Sequence, residues 1–107
     1  MVNYCRIEKS SGTDLISTST DVYHMEVDQH KPGYIIYTDN NAVKTTDGTT
    51  VVLLAGNSLQ GGYREGRGAE ARFYFITGFT QISEKHVVVS DCFNRCLRLI
   101  DRTSGST

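Results

Sequence analysis

The sequence of 107 residues predicts a single all-β unit, and three observations support this. Its apolar residues fall in short runs of period two, bounded by Asp, Asn, Gly and Ser, which is the pattern of strands joined by turns. Helix signals are nearly absent, because only residues 68–73 could form a helical turn and that segment is too short to stand alone. Similar groups of strands also recur along the chain.

Nine strands are predicted, and each is bounded by turn residues. In chain order they are residues 4–8, 14–17, 22–27, 34–37, 43–45, 51–54, 78–82, 86–89 and 96–100. The run 34–37 is apolar on both faces, as expected of a central buried strand. Asp47 and Gly48 form a strong hairpin signal before the sixth strand.

Composition excludes several classes of protein. Eleven Lys and Arg against twelve Asp and Glu give a net charge of −1, so no basic excess points to nucleic acid. No apolar run approaches the ~18 residues that a membrane span requires, and the first residues do not resemble a signal peptide. The sequence leaves an extracellular and a cytoplasmic location equally open.

An internal repeat defines the architecture. Residues 34–39 resemble residues 86–91, 52 positions later, and each segment is an apolar strand that ends in a hydroxyl residue and an Asp. Residues 42–47 resemble residues 96–101, and residues 5–12 resemble residues 98–105. These offsets give a unit of about 40–54 residues with four strands, which is typical of a β-propeller blade.

The phase of the repeat divides the chain into three parts, with strands lettered a to d from the hub outward. Residues 1–20 hold strands c and d of a partial blade, residues 21–57 a complete blade, and residues 58–107 a linking loop with strands a, b and c of the next blade. A propeller closes with about four to eight blades. Because both ends carry a strand c, we favour a piece of a larger propeller over a ring of identical chains. Nine strands could also form a closed sandwich or barrel.

The second half of the chain resembles a known family. Its motifs are Leu54-Ala55-Gly56-Asn57, the Gly-rich run 61–73 and the segment 88–101, VVSDCFNRCLRLID. This pattern resembles an NHL repeat, in which an "AG" strand precedes a "DG.G..A.F" loop and a "V.D..NHRIR" segment, whereas residues 1–53 match it loosely. The resemblance implies a six-bladed ring, which a trimer of two-blade chains could supply, and a linking loop whose Ala71 and Phe73 pack inward. The Pro usual shortly after Phe73 is missing, and Tyr74-Phe75 follows instead.

Four arginines are the candidate ligand-binding residues: Arg64, Arg67, Arg95 and Arg98. Residues 60–107 hold seven basic and five acidic side chains, or +2. Some NHL propellers bind single-stranded RNA on a basic face, so binding of RNA or another anion is an alternative. The excess is small, and we do not favour nucleic acid as the partner.

The turn after the eighth strand holds the other candidates. Asp91 and Asn94 are turn formers, and Asp39 recurs at the equivalent place, so we predict a structural role for all three. Cys92 and Cys96 flank the turn and could form a disulfide, which would leave Cys5 over, but free thiols fit the sequence equally well. Neither the cysteines nor His24, His30 and His86 have the spacing of metal ligands, and we expect no metal or cofactor.

Function is the least determined property. No nucleophilic triad or carboxylate pair can be argued from the sequence, so we expect a chain that is not an enzyme. Propellers bind at the ring faces, where loops converge, and we expect a protein-interaction scaffold whose partners are another protein or the remaining blades. Peptidyl-hydroxyglycine lyases resemble this family, so half of a propeller lyase is a further alternative, although their metal-binding and catalytic motifs are not matched. Free strand edges at both ends predict self-association.

Overall fold

A computed structural model describes the backbone of residues 5–8, 14–18 and 22–102, and the side chains of residues 22–102. The strands within those residues are β1 (Cys5–Glu8), β2 (Asp14–Thr18), β3 (Met25–Val27), β4 (Ile35–Asp39), β5 (Ala42–Thr46), β6 (Val51–Gly56), β7 (Ile76–Gln81), β8 (His86–Asp91) and β9 (Cys96–Asp101). Two 3₁₀ turns, Gly68–Glu70 and Cys92–Asn94, complete the regular structure. In this described part of the chain, no helix is long and apolar enough to cross a membrane.

The strands form three antiparallel sheets in simple sequence order. β1 pairs with β2, β3 to β6 form a four-stranded sheet, and β7 to β9 form a three-stranded sheet. The predicted all-β class is therefore confirmed, and every predicted strand overlaps an observed one. The third strand is shorter than predicted because the N–H groups of Tyr23 and His24 donate to Thr38 Oγ1, at 3.0 and 3.2 Å, instead of joining the ladder.

The hydrophobic core lies between the four-stranded and the three-stranded sheet. Ile36, Val43 and Ala55 enter it from β4, β5 and β6. Facing them are fully or nearly fully buried side chains of the other sheet, namely Phe79, Val87, Val89 and Ile100. Ala71 and Phe73 complete the core from the loop before β7, so the expectation that both pack inward is confirmed.

The two sheets meet through opposite faces. When Asp39 is aligned with Asp91, Ile36 becomes equivalent to Val88, and Tyr37 to Val89. Ile36 and Val89 both lie in the shared core, although they are not equivalent residues. The two sheets therefore use opposite faces in this contact. The packing is thus head-to-tail. One face of the three-stranded sheet remains uncovered by described residues, and this outer face carries Ile82, Val88, Leu97 and Leu99.

Polar contacts join the sheets at one end. Gln81 of β7 accepts the Gln29 N–H at 2.9 Å, and its amide nitrogen donates to Glu26 Oε1 and to the Val27 carbonyl, both at 2.9 Å. Arg102 forms a two-pronged ion pair with Asp28, with distances of 3.1 and 2.6 Å. Because the Asp28 side chain is fully buried, this pair fixes the end of β9 against the turn between β3 and β4.

Candidate functional site

The turn after β8 is organised by a buried carboxylate. Asp91 Oδ1 accepts the backbone N–H of Tyr74 at 2.7 Å. Its Oδ2 accepts hydrogen bonds from Asn94 Nδ2 at 2.7 Å and from Arg98 Nη1 at 3.1 Å. Asn94 also donates to the Gly62 carbonyl at 2.9 Å. Asp91 and Asn94 therefore hold the turn against the loop that precedes β7.

The four-stranded sheet repeats part of this arrangement. Asp39, at the end of β4, is nearly buried and lies 2.6 Å from Lys44 Nζ. Lys44 and Arg98 occupy equivalent places on the third strand of their repeat, when Ala42 is aligned with Cys96. Each sheet thus pairs the Asp that ends one strand with a basic residue of the next strand. A contact present in both sheets supports a structural role for these carboxylates.

Arg98 is surrounded differently from the other candidate arginines. Its side chain is buried, and its guanidinium donates to the carbonyls of Arg72 and Arg64 as well as to Asp91. It also lies 4.5 Å from the ring centre of Phe73 and 4.7 Å from that of Tyr63. These contacts do not support the prediction that Arg98 meets a ligand, because its donors serve the Gly-rich loop. Arg64, Arg67 and Arg95 are exposed.

Four aromatic rings meet at the end of the sheets that carries the β4–β5 and β8–β9 turns. The Tyr23 and Phe75 rings meet edge to face, with 4.8 Å between their centres. Phe93 lies 5.1 Å from Phe75 and 5.2 Å from Tyr74, with the ring planes tilted by 46° and 40°. The Phe93 side chain is 61% exposed, and Tyr23 and Tyr74 are also exposed. Such a cluster is unusual on a free surface and typical of interfaces.

The cluster borders a cavity of about 490 Å³, which we call the aromatic groove. Its described lining residues are Asn40, Asn41, Gly61, Tyr74, Phe75 and Phe93. The turn between β4 and β5 forms one wall, and the turn between β8 and β9 contributes Phe93 to the other. The groove is therefore built by one turn from each sheet, with Tyr74 and Phe75 of the linking loop between them.

Phe75 has a backbone conformation that a bulky residue rarely adopts. Its φ is +66°, in the left-handed region, which costs about 1–3 kcal/mol for such a residue. Two hydrogen bonds hold it there: its N–H donates to Asn41 Oδ1 at 2.8 Å, and its carbonyl accepts the Cys92 N–H at 3.1 Å. Because strained backbone clusters at binding sites, this outlier supports a functional groove.

Sequence reasoning did not select the groove residues as binding candidates. Asn40 and Asn41 look like ordinary turn formers, and Tyr74 and Phe75 have no periodic pattern. The available signal was the replacement of the expected Pro after Phe73 by two aromatic residues. The contacts that bring Phe75 to Asn41 span 34 positions, so local patterns could not predict them.

The described thiols and titratable groups do not gather into a metal site. Cys92 is exposed and Cys96 is half-buried, and both are free thiols in this structure. The disulfide between them stays a prediction. Cys5 belongs to β1, of whose side chains nothing is described. Within residues 22–102, no three His, Cys, Asp or Glu side chains converge in a way that could hold a metal ion.

No protein-family model matches the chain, and a search of curated proteins finds no significant match.

Proposed function

We propose that the chain is a segment of an NHL-type β-propeller that acts as a non-catalytic scaffold. It binds protein at the end of its blades that carries the β4–β5 and β8–β9 turns. In this proposal, residues 1–20 belong to a partial blade, residues 21–57 form a complete blade, and residues 58–107 form the linking loop and three strands of the next. The aromatic groove carries the binding part of the proposal.

The head-to-tail packing of the two sheets supports the propeller. The four strands β3 to β6 pair in sequence order, as the strands of a blade do. An interface between unlike faces leaves one face of each sheet free for a further neighbour, and such stacking forms a ring when the rotation between neighbouring sheets closes. The outer face, with Leu97 73% exposed, is the unused face here.

The aromatic groove supports binding of protein. Exposed aromatic side chains that are already packed lose little conformational freedom when a partner covers them, which is why they dominate interface energies. Tyr74 and Phe93 have this property, since each ring is exposed and packed on a neighbouring ring. Turns at one end of the blades form a ring face in a propeller, where partners bind.

Affinity capture followed by direct titration tests the scaffold role. The full chain and its Tyr74→Ser/Phe93→Ser variant are used to capture proteins from an extract, and each captured protein is then purified and titrated calorimetrically. We expect at least one purified protein to bind the wild type about tenfold or more tightly than the variant, since both rings would lie in the interface.

The matched control is Val51→Ser/Val52→Ser, which replaces two exposed apolar side chains of β6 outside the groove. It should bind as the wild type does. Purified partners that bind the groove variant and the wild type equally would contradict the proposed site. A chain that binds no purified protein directly would contradict the scaffold role.

A second candidate is binding of single-stranded nucleic acid. Exposed Arg95 lies two residues after exposed Phe93, and cationic and aromatic side chains together form stacking platforms for bases. Arg64 and Arg67 would add phosphate contacts. Such binding falls steeply with added salt. The absence of decauridylate binding at low salt would dismiss this candidate.

A further inference from the structure

We propose that the aromatic groove binds an extended, proline-containing peptide segment with an acidic residue beside the prolines. This inference rests on the proposed scaffold function and names the class of partner. Three features carry it: the hydrogen bonds of the groove backbone, the arrangement of its side chains, and the charge at its border.

The backbone along the groove has no free hydrogen-bonding group at its centre. The N–H and C=O groups of Tyr74 and Phe75 are all in use. Their partners are Asp91 Oδ1 and the Phe93 N–H for Tyr74, and Asn41 Oδ1 and the Cys92 N–H for Phe75. A ligand therefore cannot add to this wall as a further β-strand, and side chains must recognise it.

The rings form a corrugated apolar surface. Tyr74, Phe75 and Phe93 touch at tilts of 40–46°, so their exposed faces make shallow ridges and not flat parallel slots. Proline rings pack on aromatic surfaces of this kind in known recognition domains. The volume of about 490 Å³ lies within the ~300–1,000 Å³ of ordinary ligand pockets and admits a few residues.

Asn41 supplies a hydrogen-bond donor. Its Oδ1 is fixed by the Phe75 N–H, so the orientation of the amide is set. Its Nδ2 lies beside Gly61, where a Cβ would be 3.4 Å away, and it donates to no described residue. Polyproline segments carry outward carbonyls and lack N–H groups at proline. A groove that offers rings and a donor suits this chemistry.

One basic residue lies on the turn that contributes Phe93 to the groove. This residue, Arg95, is exposed. None of the described lining residues is acidic. An acidic residue next to the prolines would pair with Arg95. Nucleic acid is less suited, because the chain has a net charge of −1.

Fluorescence anisotropy with defined probes tests the inference. The probes are a labelled short peptide with alternating proline pairs and glutamates, its Pro→Ala and Glu→Lys counterparts, and decauridylate. We expect the proline–glutamate peptide to bind about tenfold more tightly than the alanine peptide and several-fold more tightly than the lysine peptide. Phe93→Ala should weaken binding about tenfold, and Arg95→Glu should reverse the charge preference.

Arg95 is exposed and Phe93 is 61% exposed, so the melting temperature should change little, and Val51→Ser/Val52→Ser should bind as the wild type does. Equal binding of the three peptides, or binding of decauridylate alone, would overturn the inference. If the groove variant loses its captured protein while the proline peptide fails to bind, the scaffold proposal stands and this inference falls. If the peptide binds and the captured proteins bind the groove variant and the wild type equally, this inference stands and the scaffold proposal falls.

Discussion

At the scale of single residues, Arg98 shows how one buried side chain can hold a loop. Its guanidinium faces Asp91, whose side chain is fully buried, and also binds two loop carbonyls. Arg98→Met would leave that carboxylate without its cation, which costs about 3–5 kcal/mol in buried pairs. We therefore expect the free energy of unfolding, measured by urea denaturation, to fall by about 3 kcal/mol.

Two further variants make this test specific. Arg64→Met, on an exposed side chain, should change the stability by less than about 0.5 kcal/mol. Arg98→Lys keeps the charge but loses the planar fork that reaches both carbonyls, so its stability should lie between the other two. A stable Arg98→Met chain would show that the loop is held by its other contacts.

Two glycines with positive φ provide a matched pair. Gly56 has φ +99°, and a Cβ there would lie 2.3 Å from the Asn41 carbonyl oxygen. Gly33 has φ +85° with nothing within 4 Å of the same position. Gly33→Ala should cost about 1–2 kcal/mol for the backbone conformation alone, and Gly56→Ala about 2 kcal/mol more, because backbone must move. Thermal unfolding measures both, and equal losses would contradict the close approach.

At the scale of elements, the link between the sheets should depend on pH. Burial raises the pKa of Asp28, but hydrogen bonds from Arg102 and from the His30 N–H outweigh it, so the pKa lies below its ordinary value. A lowered pKa means that stability is present above the ordinary pKa of about 3.9 and is lost as pH falls towards the folded value.

We expect the urea midpoint of Asp28→Asn to fall less steeply than that of the wild type as the pH is lowered from neutral to about 3. Some slope should remain, because the pKa of Glu26 is also lowered: burial raises it, and hydrogen bonds from Gln81 and His24 outweigh that effect. The control Glu84→Gln, on an exposed side chain, should keep the wild-type slope. Parallel curves for Asp28→Asn and wild type would contradict a role of this pair.

The elements themselves could be predicted from the sequence, because strands and turns depend on neighbouring residues. β5 and β6 flank Asp47 and Gly48, for example, and the pattern of those few residues suffices. Contacts between elements could not be predicted in this way. Asp28 and Arg102 are 74 positions apart. Arg98 has the sequence pattern of an exposed strand residue, but in the structure the linking loop buries it.

At the scale of the whole molecule, the outer face of the three-stranded sheet is an apolar surface that no described residue covers. On the four-stranded sheet, the equivalent residues Ile36 and Val43 are fully buried against the neighbouring sheet. On the outer face, Leu97 and Leu99 are exposed instead, and β9 is the last strand of its sheet among the described residues. An apolar face beside an open strand edge favours pairing with another chain.

The propeller proposal therefore predicts concentration-dependent association, measured as solution mass by light scattering after size exclusion. The exposed outer face and the open edge of β9 predict a broad range of species, whereas a discrete mass near three chains would mean that identical chains close a six-bladed ring. Leu97→Lys/Leu99→Lys should shift the mass to one chain without disturbing the internal core, because both side chains point away from it. A wild type that stays at the mass of one chain at every concentration would contradict the propeller, because its outer face would then need no neighbouring blade.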